Sequence, residues 1–248
     1  AITSLPDAQN TVRSDIACGP NECMVIWEND WDLYGSKLPA GSTKPGTAVK
    51  LTTYTSSQRN ASISYGGGIY LAAWETSPTS SSTSTDIDIQ AARLDPTKAT
   101  FVYTKDVGNG FDVSEEITHS SRETAPAVTF DGTDFFVARS DDHDTSMGGV
   151  PQFNGLWVSP SSSASSFKPG WGTATVLGTP ATATEVFSRV SSNGTDSILA
   201  SYTRATTSAG TTSQAYVRLI RKGNFVSDAG TDAATNDTGV DSAADAAS

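Results

Sequence analysis

A chain of 248 residues with a net charge of −11, from 16 Lys+Arg against 27 Asp+Glu, is long enough for one large all-β domain or two small ones. It is too poor in cations for a nucleic-acid partner, whose phosphates must be neutralised by Lys and Arg. Only 36% of residues are hydrophobic and 17% charged, and 34 Ser and 33 Thr fill the difference, so hydroxyls solvate the surface. No apolar run reaches the ~20 residues of a membrane span, and the opening residues AITSLPDAQN lack the basic start and apolar stretch of a signal peptide.

Four segments align without gaps in chain order: SDIACGPNECMVIWEN from Ser14, ASISYGGGIYLAAWET from Ala61, PAVTFDGTDFFVARSD from Pro126 and RVSSNGTDSILASYTR from Arg189. Each is a β-like run, a turn of Gly, Asn or Asp, and an apolar β run, the pattern of a hairpin. Ile16, Ile63, Val128 and Val190 are the first apolar anchors. Counted the same distance on from these anchors, Trp27, Trp74, Arg139 and Ser201 share one later position, so the aromatic mark is read as lost in the third and fourth copies.

A third run follows each hairpin: DLYGSKL (32–38), DIDIQAARL (86–94), NGLWVSP (154–160) and SQAYVRLI (213–220). A short fourth run closes the unit in AVKLTT (48–53), VSEEIT (113–118) and ATVLG (174–178). Helical periodicity is absent. Four strands repeating in this way predict an all-β fold, a β-propeller of four-stranded antiparallel blades with four repeats visible. The fourth copy has no closing run, and AITSL aligns with the closing runs of the others, so the N-terminal strand is expected to complete the last blade. The propeller domain is placed at residues 1–226. Residues 227–248, rich in Asp, Ala, Gly and Thr and without Lys, Arg or aromatics, read as a disordered acidic tail or stalk.

The unit DGTDFFVARSD followed by a DIDIQAARLDP-type strand resembles a repeat of secreted and cell-surface β-propellers of the myxobacterial type. The paired cysteines of ACGPNEC and the tail DAGTDAATNDTGVDSAADAAS are similar to features of the same family. The resemblance implies an extracytoplasmic repeat propeller and carries no catalytic residue with it.

Cys18 and Cys23 bracket the first predicted turn, so a hairpin sets them opposite each other within disulfide reach. A disulfide implies an oxidising location: secreted, periplasmic or cell-surface. In a four-stranded blade the second-to-third-strand loops share one face with the inter-blade connections. That face is expected to hold Glu28, Asp30, Trp31 and Asp32 from the first copy, Glu75, Asp86 and Asp88 from the second, and Asp141, Asp142 and Asp144 from the third. These acids are either ordinary turn residues or a site for calcium, centred on Asp141, Asp142 and Asp144, or for a sugar stacked on Trp31. No other cofactor is expected. The Ser-x-Asp-x-Gly-x-x-Trp box of sialidases is absent, and no Ser/His/Asp order stands out. The expectation is therefore a non-catalytic, monomeric binding or display module for carbohydrate or a surface protein. The alternative is a carbohydrate-active, glycosidase-like propeller, which needs only two carboxylates brought together in space.

Overall fold

The computed structural model describes residues 13–52, 56–77, 87–98, 110–113, 123–141, 152–161, 175–176, 184–195, 197–205 and 213–221. These residues contain no helix and form four antiparallel sheets. Sheet 1 runs β1 (Ser14–Cys18), β2 (Glu22–Asn29), β3 (Asp32–Pro39) and β4 (Val49–Lys50). Sheet 2 runs β5 (Ser57–Gly66), β6 (Ile69–Ser77), β7 (Asp88–Leu94) and β8 (Phe111–Asp112). Sheet 3 runs β9 (Glu123–Phe130), β10 (Phe135–Asp141), β11 (Gln152–Val158) and β12 (Thr175–Val176). Sheet 4 consists of β13 (Thr184–Ser192), β14 (Ser197–Ala205) and β15 (Ser213–Arg221).

The order within each sheet is the order of the chain, and the first strands β1, β5, β9 and β13 neighbour one another in that sequence. Every predicted hairpin and third strand is present. The fourth strand of sheet 2 differs from expectation: β8 is Phe111–Asp112, just before VSEEIT, and its Phe111 pairs with Ala91. Residues 1–12, which include the strand expected to close the last blade, and the tail from 227 onwards lie outside the described residues.

Why the second strand of each unit is so apolar follows from its position. β6 is buried at every residue. Its Tyr70, Ala72 and Trp74 pack with Met24 and Ile26 of sheet 1, while Ile69, Leu71 and Ala73 pack with Val128, Phe135 and Val137 of sheet 3. Side chains alternate across a strand, so a strand covered on both faces needs an unbroken apolar run. β10 repeats the arrangement, with Phe135 and Val137 toward sheet 2 and Phe136 and Ala138 toward sheet 4. Burying each of the larger aliphatic and phenyl side chains contributes about 1.5–3 kcal/mol.

The interfaces also repeat in detail. Tyr65 packs beneath Gly19, and Phe130 beneath Gly66; a Cβ on Gly66 would lie 2.0 Å from the Phe130 ring. The same hairpin position holds the cross-strand pairs Cys18–Cys23, Tyr65–Tyr70 and Phe130–Phe135. In the first copy the pair is a disulfide, as expected. The Tyr70 hydroxyl accepts from Gly19 N (3.2 Å) and donates to Glu22 O (3.0 Å), tying the disulfide turn to sheet 2. Burial pushes its pKa up to about 12, so it stays a donor.

The register corrects the alignment of the fourth copy. Ile16, Ile63 and Val128 pair with Val25, Ala72 and Val137, whereas Val190 pairs with Ala200, one residue further on. The extra residue lies in the turn, so the equivalent of Trp27, Trp74 and Arg139 is Tyr202, not Ser201. The aromatic mark therefore survives in the fourth copy: Tyr202 is buried and stacks on Tyr216 at 5.7 Å, as Trp27 stacks on Tyr34 at 6.1 Å.

Met24, Leu71 and Phe136 hold the position that faces the following sheet, and all three are fully buried. Their equivalent in sheet 4, Leu199, is 51% exposed, together with its cross-strand neighbour Leu219 and with Val217. Ile16, on the face of sheet 1 turned away from sheet 2, is also 51% exposed. The described residues thus form an arc with apolar cores between sheets 1 and 2, 2 and 3, and 3 and 4.

Aligned residues should therefore differ in cost. Leu71→Ala is expected to lose about 2–5 kcal/mol, and Leu199→Ala to stay within about 0.5 kcal/mol. Urea unfolding of the two variants measures this, and equal losses would show that Leu199 is covered in solution.

Candidate functional site

The inner strands leave a cavity of about 280 Å³ between them, lined by residues 13–15, 60–63, 126–128, 189 and 190. Every sheet contributes. Arg13, Asp15, Asn60, Ser62 and Arg189 give the wall its polar character. Asp15 immediately precedes the anchor Ile16. Its Oδ2 accepts from Ile63 N of the next sheet (3.0 Å), and its Oδ1 from Ile16 N (2.8 Å). Ser62 does the same one sheet on, its Oγ accepting from Val128 N (3.2 Å). At the equivalent place Ala127 has no acceptor. The carboxylate is thus held at the wall by bonds on both oxygens, and it is the sole acid among the described residues of the lining.

Two buried glutamates brace the rim. Glu28 accepts from the backbone N–H of Asn60, and Glu75 Oε1 from that of Ala125 (2.8 Å). Asn60 and Ala125 are equivalent residues at β-bulges of β5 and β9, with φ of 55° and 54°. A bulge leaves an N–H without a ladder partner, and the glutamate of the preceding sheet takes it. Glu75 also pairs with Arg59 (3.2 Å). Burial pushes the Glu28 carboxyl above its ordinary 4.5, and nearby Glu75 adds to this; the Asn60 and Ala61 amides and Arg13 oppose it. Glu28 and Glu75, expected on an open ligand face, are therefore spent inside the fold.

The remaining predicted residues are dispersed among separate partners. Asp30 and Trp31 form the β2–β3 turn, both with positive φ (48° and 71°), and Trp31 is 49% exposed. Asp32 pairs with Lys50 Nζ at 2.7 Å. Asp88 opens β7 opposite Thr76 and is half-buried. Asp141 closes β10, accepts from Asn154 Nδ2 (3.0 Å) and lies 3.6 Å from Arg139, which is buried where the other sheets carry an aromatic. Asp86, Asp142 and Asp144 lie outside the described residues. Among the described residues no three His, Cys, Asp or Glu side chains gather as a metal site.

Arg13, Asp15, Asn60, Ser62 and Arg189 were not singled out in the sequence. The signal was present in the repeat itself: Asp15, Ser62 and Arg189 each directly precede an anchor, and a polar residue at that position of an inner strand faces the cavity.

No protein family and no curated protein matches the chain by sequence. Among solved structures it is similar to an α-L-arabinanase of Penicillium chrysogenum complexed with arabinobiose, at a TM-score of 0.53 and 12% identity over 85% of this chain. It is also similar to a Hadza microbial sialidase, at a TM-score of 0.55 and 8% identity over 83% of this chain. The chain spans 62% and 43% of the length of those two proteins. The likeness shows a β-propeller fold. It also corrects the expectation of a non-catalytic binding or display module: the two propellers that share the architecture are named as an arabinanase and a sialidase. The expectation erred because it looked for a linear motif, whereas a propeller assembles its polar groups from strands far apart in sequence.

The raised pKa of Glu28 has a measurable consequence. An acid whose folded-state pKa lies above its unfolded value weakens the fold as pH rises through that window. Glu28→Gln keeps an acceptor for Asn60 N and removes the charge. It should therefore be at least as stable as the wild type at pH 7, and the wild type should close the gap as pH falls toward 4.5. Thermal unfolding at both pH values measures this, and a gap independent of pH would refute it.

Proposed function

We propose that the chain is a carbohydrate-active propeller that hydrolyses a glycosidic bond at the cavity where its inner strands converge, with Asp15 as one of its acids. The observation that carries this reading is the cavity itself: a polar space of about 280 Å³, walled by every sheet, with a carboxylate fixed by hydrogen bonds to two backbone amides. Two backbone amides fix the Asp15 carboxylate in place, and a positioned carboxylate suits the base or nucleophile of the pair. Glycoside hydrolysis uses two carboxylates about 5–9.5 Å apart. Asp86, Asp142 and Asp144, expected on second-to-third-strand loops, are the candidates for the second. The architecture shared with an arabinanase and a sialidase supports the reaction class. The Cys18–Cys23 disulfide supports a place outside the cytoplasm, and no helix among the described residues is long and apolar enough to cross a membrane.

The test is release of reducing sugar from arabinan, xylan and sialylated oligosaccharides, followed by Asp15→Asn on whichever is cleaved. Asparagine keeps an acceptor for Ile63 N, so the melting temperature should hold while the rate falls by about a hundredfold or more. Asp86→Asn, Asp142→Asn and Asp144→Asn then search for the partner. No cleavage across the panel, or full activity in Asp15→Asn, overturns the reading.

A further inference from the structure

The turn that joins β2 to β3 carries a residue that its backbone does not favour. Asp30 and Trp31 are its two central residues, both in the left-handed region (φ 48° and 71°). This is the conformation of the tightest hairpin turns, for which Asn-Gly is the preferred pair. A tryptophan there sets its Cβ against the following carbonyl, and strain of this kind persists where the surrounding structure enforces it, commonly at binding sites.

The surroundings do enforce it. Gln58 N donates to the Trp31 carbonyl at 2.7 Å. The Gln58 side chain is buried and fixed in turn: Thr52 Oγ1 donates to its Oε1 (3.0 Å), and its Nε2 donates to Ser56 Oγ (2.9 Å). Thr52 Oγ1 also accepts from Leu33 N (3.1 Å), and Asp32 is held by Lys50. Packing covers only part of the indole, since Trp31 is 49% exposed. Gln58 lies two residues before Asn60 on β5, and Asn60 lines the cavity; the mount therefore sits about 7 Å along the strand from the cavity wall.

We propose that Trp31 is a stacking platform for a sugar ring, a flanking subsite that holds the glycan next to the unit lying in the cavity. The apolar C–H face of the ring lies on the indole, and its hydroxyls donate to the carboxylates of Asp30 and Asp32. The fold holds a strained, solvent-facing tryptophan because the ligand uses it. This subsite rests on the proposed glycan-cleaving function, but its binding can be read without turnover.

The decisive variant is Trp31→Gly, which supplies the residue the turn prefers. Its melting temperature should rise. Affinity electrophoresis in gels containing arabinan, xylan or polysialic acid should show the wild type retarded by one of them, with a dissociation constant roughly tenfold weaker for Trp31→Gly. If the protein hydrolyses glycans, KM for a long oligosaccharide should rise by a similar factor, while KM for a short aryl glycoside, which occupies the cavity alone, should not change. A lower melting temperature would make Trp31 a packing residue and overturn the proposal. So would unchanged retardation, or no retardation of the wild type by any of the three. Retardation lost in Trp31→Gly without hydrolysis by the wild type would overturn the catalytic reading and leave the subsite standing.

Discussion

Everything in this architecture depends on one contact, the packing of one sheet's face on the next through its second strand. β6 and β10 have sheets on both sides and are buried along their whole length. Because side chains alternate, each strand serves both neighbours at once, odd residues facing one sheet and even residues the other. The polar features follow from that packing. Close stacking draws the first strands together, which creates the cavity, and it brings the bulged residues Asn60 and Ala125 to the Glu28 and Glu75 of the preceding sheets. A buried carboxylate without such donors would be costly, so the glutamates and bulges form one repeated unit of the fold.

Much of the fold was legible because hairpins are local. The Gly-rich turns, the apolar second strands and the cysteine pair each announce themselves within about ten residues. What failed had a physical cause each time. The longer turn of the fourth hairpin shifted the alignment by one, hiding Tyr202 behind Ser201, because pairing register is set by turn length and not by matched letters. The short strand at Phe111–Asp112 has two residues and no periodicity to betray it. The charged residues were harder still. The partners of Glu28, Asp15 and Ser62 lie 32, 48 and 66 residues away, and no window along the chain shows such a pairing.

The acids illustrate how composition misleads. A chain of net charge −11 invites the expectation of an acidic ligand face, yet Glu28, Glu75, Asp32 and Asp141 are all engaged within the fold by backbone amides, Lys50, Arg59, Asn154 or Arg139. The more informative residues are those that break a local rule: a carboxylate at an inner-strand position where sheet 3 carries Ala127, and a tryptophan in a turn made for glycine. Such departures concentrate at sites of function.

The unequal covering of the sheets has a dynamic side. In a linear stack each unit is stabilised by its neighbours; sheets 2 and 3 have two, whereas the described residues give sheet 4 a core only with sheet 3. Local opening is then expected to start at the ends of the stack, with amide protons of β13–β15 exchanging with solvent before those of β6 and β10. Sheet 4 also supplies Arg189 and Val190 to the cavity wall. Any molecule that bridges Arg189 and Asp15 therefore acts as a clasp between the two end sheets of the stack, and its occupancy is written most strongly in the exchange rates of those sheets.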